Sequence, residues 1–232
     1  MNKKIDFEYL LNISPEKAVE YLENRGYKIS RNWLDIYNDS YNKAFSVAGV
    51  MKEDILKDIK NTIIKAIESG MGYEAFKKHI KEIMQVKGWY ISPWRLKFIY
   101  QQNLDIAYSV GRFQEQWSVK HLVPYWQYIT MNDERVRDSH KILHNRVFKS
   151  TDPIWKIIYP PSDFGCRCFV KTYSKKEAKK LGLNVESSRG KIGEKEIEIG
   201  SRDNKQKIKV KTFEGEIISK GFKNPIGELF KK

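Results

Sequence analysis

A chain of 232 residues with 41% hydrophobic content has enough apolar side chain for an ordinary core, which excludes wholesale disorder and fits one large domain or two small ones. Lysine and arginine number 43 against 29 aspartate and glutamate, a formal charge of +14 that favours DNA, RNA or a negatively charged protein surface as partner without specifying a reaction. No apolar run reaches the roughly 20 residues that cross a bilayer, and Met1-Asn2-Lys3-Lys4 leads into charged sequence, so no membrane segment and no export signal are expected.

Ser14-Pro15-Glu16 predicts the first helix, a capping hydroxyl followed by proline at the first helical position, with a stop at Gly26 after Arg25. A second helix is predicted from about Asn32, where Trp33, Ile36, Tyr37, Ala44, Phe45 and Ala48 recur at helical spacing as a stripe that packs in a core. Met51 to Ser69 repeats the pattern, with Ile55, Ile59, Ile63 and Ile67 on one face and Gly70 as a left-handed stop. A shorter helix around Phe76, Ile80, Ile83 and Met84 ends before Gly88, with His79 on its solvated side. Ser92-Pro93 opens the longest helix, along which Leu96, Ile99, Asn103, Ile106, Val110, Phe113 and Trp117 alternate spacings of three and four. Asn103 either sets register between packed helices or bonds a neighbouring backbone.

The period then changes. Tyr125 to Ile129, Val147-Phe148 and Cys168-Phe169-Val170 read as short strands, with a helical segment near Val136 to Leu143 between them. Pro153, Pro160, Pro161 and Gly165 are expected to keep the intervening chain irregular. Ser174-Lys175-Lys176-Glu177 matches a capping box and begins a last short helix that Gly182 ends. Past Leu183 the composition turns to Ser, Gly, Lys and Glu, with Ile197, Ile199, Ile208 and Val210 alternating. The expected fold is α+β: a mostly helical region over 1–120, a small mixed module over 121–182, and a basic, β-rich or partly ordered arm over 183–232.

The rarest side chains gather between Tyr125 and Thr172. Cys166 and Cys168 are too close for an unstrained disulfide, which points to a reducing compartment. With His140 they form three soft or borderline donors of the kind that hold zinc, and His144, Asp133 and Asp138 are candidates for a fourth. A metal-stapled module and a turn-rich core with buried thiols both fit these residues, since Cys-x-Cys is not the Cys-x-x-Cys knuckle of zinc ribbons. Arg135, Arg137, Lys141 and Arg146, with Lys149, form the densest basic patch before the C-terminal region. It suits phosphate contacts or pairing with Asp133, Glu134 and Asp138 next door.

Arg135-x-Arg137-x-x-His140, Val147-Phe148, Asp152-Pro153-x-Trp155, Pro160-Pro161 and Gly165-Cys166-Arg167-Cys168 together resemble the phage Mu protein F-like family of minor head, or head morphogenesis, proteins. The resemblance extends back through Trp94-Arg95-Leu96, Asn103-Leu104 and Gly111-Arg112 to Ala44-Phe45-Ser46, and forward to Gly221-Phe222-Lys223-Asn224-Pro225. The chain departs from the family at Asp138, where proline often precedes the Ser/His pair, and at His144-Asn145, where glycine often follows the leucine. The resemblance implies a protein of a tailed-phage or prophage head, assembled in the bacterial cytoplasm near the portal with other capsid or scaffold proteins and touching packaged double-stranded DNA. A structural role without catalysis is expected. The competing reading is a metal-dependent nuclease or processing enzyme, for which no paired-metal carboxylate spacing, nucleophile elbow or phosphate-cradling glycine loop is present.

Overall fold

The computed structural model describes residues 15–31, 44–201, 204–220, 222 and 224–229. Helix α1 (Pro15–Glu23) is followed by strand β1 (Gly26–Tyr27), which pairs in parallel with β2 (Ala44–Phe45). Ser14 and most of the helix predicted from Asn32 lie outside the described residues. Its end does not: Ala44 and Phe45 are strand and Ala48 lies in a turn, so the helical spacing does not carry that far. Pairing with a segment far back in the chain overrides local periodicity there.

Helices α2 (Glu53–Ser69), α3 (Tyr73–Lys87) and α4 (Pro93–Ser118) follow the predicted pattern. Ile55, Ile59, Ile63 and Ile67 are all buried, and Gly70 (φ 65°) and Gly88 (φ 60°) close α2 and α3 in the left-handed region that glycine adopts without steric cost. Lys60, on the buried side of α2, donates to the carbonyls of Glu23 (3.1 Å) and Arg25 (2.6 Å) and so terminates α1. Burial, with Arg25 nearby, holds this ammonium below its ordinary pKa. Asn103 takes the second of its two expected roles, donating to the Ile99 carbonyl at 2.8 Å.

The 26-residue α4 serves two cores. Leu96, Ile99, Tyr100 and Ala107 belong to the first, with α1, α2 and α3; Ile106, Val110 and Phe113 belong to the second. That second core lies against a four-stranded sheet of β3 (Tyr125–Ile129), β4 (Val147–Lys149), β5 (Phe169–Tyr173) and β6 (Val185–Glu186), ordered β5-β3-β4-β6. Strand β3 is antiparallel to both neighbours, whereas β4 and β6 are parallel. Helices α5 (Asp138–Lys141), α6 (Trp155–Ile158) and α7 (Lys175–Lys180) connect them. The capping box that opens α7 is formed as predicted, Ser174 and Glu177 bonding reciprocally. Asn145 carries the turn into β4 at φ 66°.

Helix α6 stands where irregular chain was expected. Asp152 accepts the Ile154 amide (3.0 Å) and the Ser188 amide (3.1 Å), and also the Ser188 hydroxyl. The Trp155 indole donates to the Lys149 carbonyl at 2.9 Å, anchoring one helical turn to the end of β4. Trp126, Trp155, Tyr159 and Phe113 then interlock in edge-to-face contacts with centroids 5.2–6.2 Å apart.

The C-terminal region is β-rich, with β7 (Ile192–Ser201), β8 (Asn204–Phe213) and β9 (Glu216–Ile217) in one antiparallel sheet, followed by helix α8 (Pro225–Leu229). It is joined to the body. Arg146 donates to Glu186 (2.9 Å) and Glu214 (2.6 Å), and the bonds to Glu214 from Arg146 and Lys191 hold its carboxyl down to about 2. Phe213, Ile218, Phe222 and Ile226 are buried in the second core. Asn224 accepts the Ile226 amide (2.9 Å) at the start of α8 while donating to the carbonyls of Ile157 (3.2 Å) and Tyr159 (2.6 Å) at the end of α6. The two helices cross so closely at Gly227 that a Cβ there would stand 2.5 Å from the Lys156 carbonyl oxygen. Gly227→Ala is therefore expected to destabilise the fold by about 1–3 kcal/mol, the usual cost of overpacking, and to expose 213–229 in hydrogen exchange ahead of α2. Unchanged protection of α8 would contradict this packing.

Candidate metal centre

His140 sits on α5, where a single turn starting at Arg137 brings its amide to the Arg137 carbonyl (2.9 Å); its ring is 1% exposed. Cys166 closes the turn begun at Asp163, and Cys168 stands immediately before β5. Helix α4 holds this loop from behind: Gln102 accepts the Gly165 amide at 2.7 Å, and Ser109 donates to the Pro160 carbonyl. Gly165 has φ 64°, so a residue with a side chain would strain the approach to Cys166.

The imidazole Nδ1 of His140 lies 3.7 Å from the Cys166 sulfur and 3.8 Å from the Cys168 sulfur, and the three donor atoms fall within 4.8 Å of one another. A tetrahedral zinc with bonds of about 2.3 Å to sulfur and about 2.1 Å to nitrogen requires N···S edges of about 3.6 Å. The group thus has nearly the separation of three corners of a zinc shell. On the far side of the ring, Nε2 is 3.4 Å from the Ser162 hydroxyl, itself 3.3 Å from the Tyr128 hydroxyl. Such a partner orients an imidazole with its other nitrogen free for an ion. Hydrogen bonding from Cys168 and from His140 holds the Cys166 thiol well below its ordinary range despite burial, while the bond to Cys166 and burial push Cys168 up. Metal ligation takes both sulfurs as thiolates, so an ion bound here would displace the thiol protons.

The other three candidates are engaged elsewhere. Asp133 accepts from Arg167 (2.7 Å) and from the Arg135 amide (3.1 Å). Asp138 is solvent-exposed and pairs with Lys141 at 2.8 Å. His144, past the end of α5, turns its Nδ1 to the Thr130 amide (3.1 Å), and burial lowers its pKa. Sequence reading passed over the α4 residues that back the loop. Gln102 and Ser109 are seven positions apart and Asp105 lies between them, on the same helical face. Although part of Asp105 is open to solvent, the protein packed around its carboxyl and the negative charge at Cys166 push it up to about 7. The polar stripe Gln102, Asp105, Ser109 beside the apolar seam was the available signal.

Four of the five residues of the predicted basic patch have an acidic neighbour, and Lys149 is exposed on β4. Arg137 pairs with Asp163 (3.3 Å), Lys141 with Asp138, Arg135 with Asp133 at 3.8 Å, and Arg146 with Glu186 and Glu214.

The family model described as phage Mu protein F like protein matches residues 57–171, a span that starts in α2, contains α3, α4 and all three donor residues, and ends in β5. The F protein of Escherichia phage Mu, which carries a provisional capsid-assembly name, is 32% identical over 221 residues, covering 88% of this chain and 50% of its own. The chain belongs to the phage Mu protein F-like family. A second relative, the Mu-like prophage FluMu F protein of Haemophilus influenzae, is 32% identical over 219 residues, covering 86% of this chain and 53% of its own. An uncharacterised protein of Methanocaldococcus jannaschii is 27% identical over 144 residues, 61% of this chain and 21% of its own. The chain thus spans about half the length of its two Mu-type relatives. No solved structure matches it significantly. No helix among the described residues is long and apolar enough to cross a membrane.

Proposed function

We propose that this chain is a structural component of a tailed-phage or prophage head, assembled in the host cytoplasm beside the portal with other capsid or scaffold proteins, and in contact with packaged double-stranded DNA. Similarity to the F protein of phage Mu over 88% of the chain is the observation that carries this reading. The chemistry of the site supports it: His140, Cys166 and Cys168 are gathered at zinc-shell separations, and the first two are buried, as suits a staple that holds a turn-rich module in shape. Arg135, Arg137, Lys141 and Arg146 are proposed to reach DNA phosphates from the rim of the same module, Arg135 being the most open with 77% of its side chain exposed.

Electron microscopy of heads made with and without the protein tests the assembly role. Loss of full heads, restored by the parent protein and not by His140→Ala, is the expected result; full, infectious heads in its absence would remove the role. Metal-dependent hydrolysis of DNA by the purified protein, abolished by His140→Ala, would put the nuclease in its place.

A further inference from the structure

We infer that helix α7 is a docking surface for the phosphate backbone of duplex DNA. This deepens the DNA contact proposed above and rests on it. The hairpin lysines Lys205, Lys207 and Lys211 each face a glutamate, and the patch around Arg137 and Arg146 is paired internally. Helix α7 differs. Its six residues Lys175–Lys180 include four lysines, all exposed. Its single acid, Glu177, is turned back onto the Ser174 amide (2.8 Å) and hydroxyl (2.6 Å) as part of the capping box.

Geometry points the four the same way. Lys175, Lys176, Lys179 and Lys180 fall within an arc of about 140° on a helix of 3.6 residues per turn. Ala178 turns inward and is buried, on a helix packed against β5. The helix joins β5 to β6, the two edges of the sheet, in which Val170, Trp126 and Phe148 turn to the aromatic core and the alternate residues lie on the opposite face. Tyr173, Gln127 and Val147 are buried on that face, and Lys171, exposed on β5, extends the basic surface. A row of exposed ammonium groups on one helix suits a duplex, which presents a phosphate charge every 1.7 Å or so along its axis, and such contacts require no base-reading groups.

The test is duplex binding by the full chain, measured by fluorescence anisotropy on a mixed-sequence DNA across about 50–200 mM salt. Each phosphate contact contributes about 0.9 to the slope of log affinity against log salt, so the fourfold Lys→Ala variant at 175, 176, 179 and 180 should flatten it by about 3 to 4 and weaken binding at least tenfold at low salt. Arg135→Ala with Lys141→Ala is the comparison, and circular dichroism checks that each variant folds. Parent-like affinity and slope in the fourfold variant, with loss in the double variant, would overturn the assignment to α7 while leaving DNA contact intact. Absence of any duplex binding by the parent protein at low salt would overturn both.

Discussion

Chelation is expected to lower the thermal midpoint of the purified protein by about 8–16 °C. A ligand bound only by the folded state at about 1,000 times its dissociation constant stabilises by about 4 kcal/mol, and a chain of this size shifts roughly 2–4 °C per kcal/mol. The separations of His140, Cys166 and Cys168 are near those a zinc ion demands, and because sulfur ligates as thiolate, binding displaces hydrogen ions. Elemental analysis should find one zinc per chain. His140→Ala and Cys166→Ser should each lose the metal, melt near the chelated parent and no longer respond to chelator. Metal-free parent protein that melts identically with and without added zinc would show that the thiols are only core side chains. Ser162→Ala gives a graded case: the ring keeps its donor nitrogen but loses its orienting partner, which costs about 10- to 100-fold in metal affinity.

Trp155→Ala is expected to destabilise by about 3–5 kcal/mol, the range for deleting a large aromatic from a close-packed core. The side chain is fully buried between Trp126 (5.5 Å), Phe148 (6.0 Å) and Tyr159 (6.2 Å), and its loss also removes the indole hydrogen bond to the Lys149 carbonyl. Trp94 is the internal control. It is 76% exposed and stacks on Phe98, so Trp94→Ala should stay within about 0.5 kcal/mol of the parent in urea unfolding. Equal effects at the two tryptophans would mean that the aromatic cluster does not hold the module together.

Local signals carried the helical half of the fold. A four-residue isoleucine repeat, two glycines with positive φ and a reciprocal cap each act over a single turn, and each appears where the spacing places it. What escaped depends on distant partners. Ala44 and Phe45 take up strand because Gly26 and Tyr27 offer backbone groups to them, and Trp155 can nucleate a helix among prolines because the Lys149 carbonyl and Ser188 secure its start. The C-terminal region reads as a solvated basic segment because lysine dominates its composition. Phe213, Ile218, Phe222 and Ile226 are too sparse to form a periodic pattern, yet all four are core. At the candidate metal centre, residue type and order singled out the three side chains that the fold gathers. Only the folded chain shows that Ser162 and Tyr128 stand behind the imidazole and that Gln102 secures the loop.

The sharing of α4 between two cores has a consequence for synthesis. Residues of the first core end at Ala107, so the ribosome has delivered that half in full while the aromatic half still lacks Phe213 and Ile226. Nascent chains paused between those points carry Trp126 and Trp155 uncovered, and that interval is where a chaperone has most to shield. Translation that stops short of Ile226 yields a polypeptide whose front half is sound and whose back half is sticky, a product destined for aggregates or proteolysis.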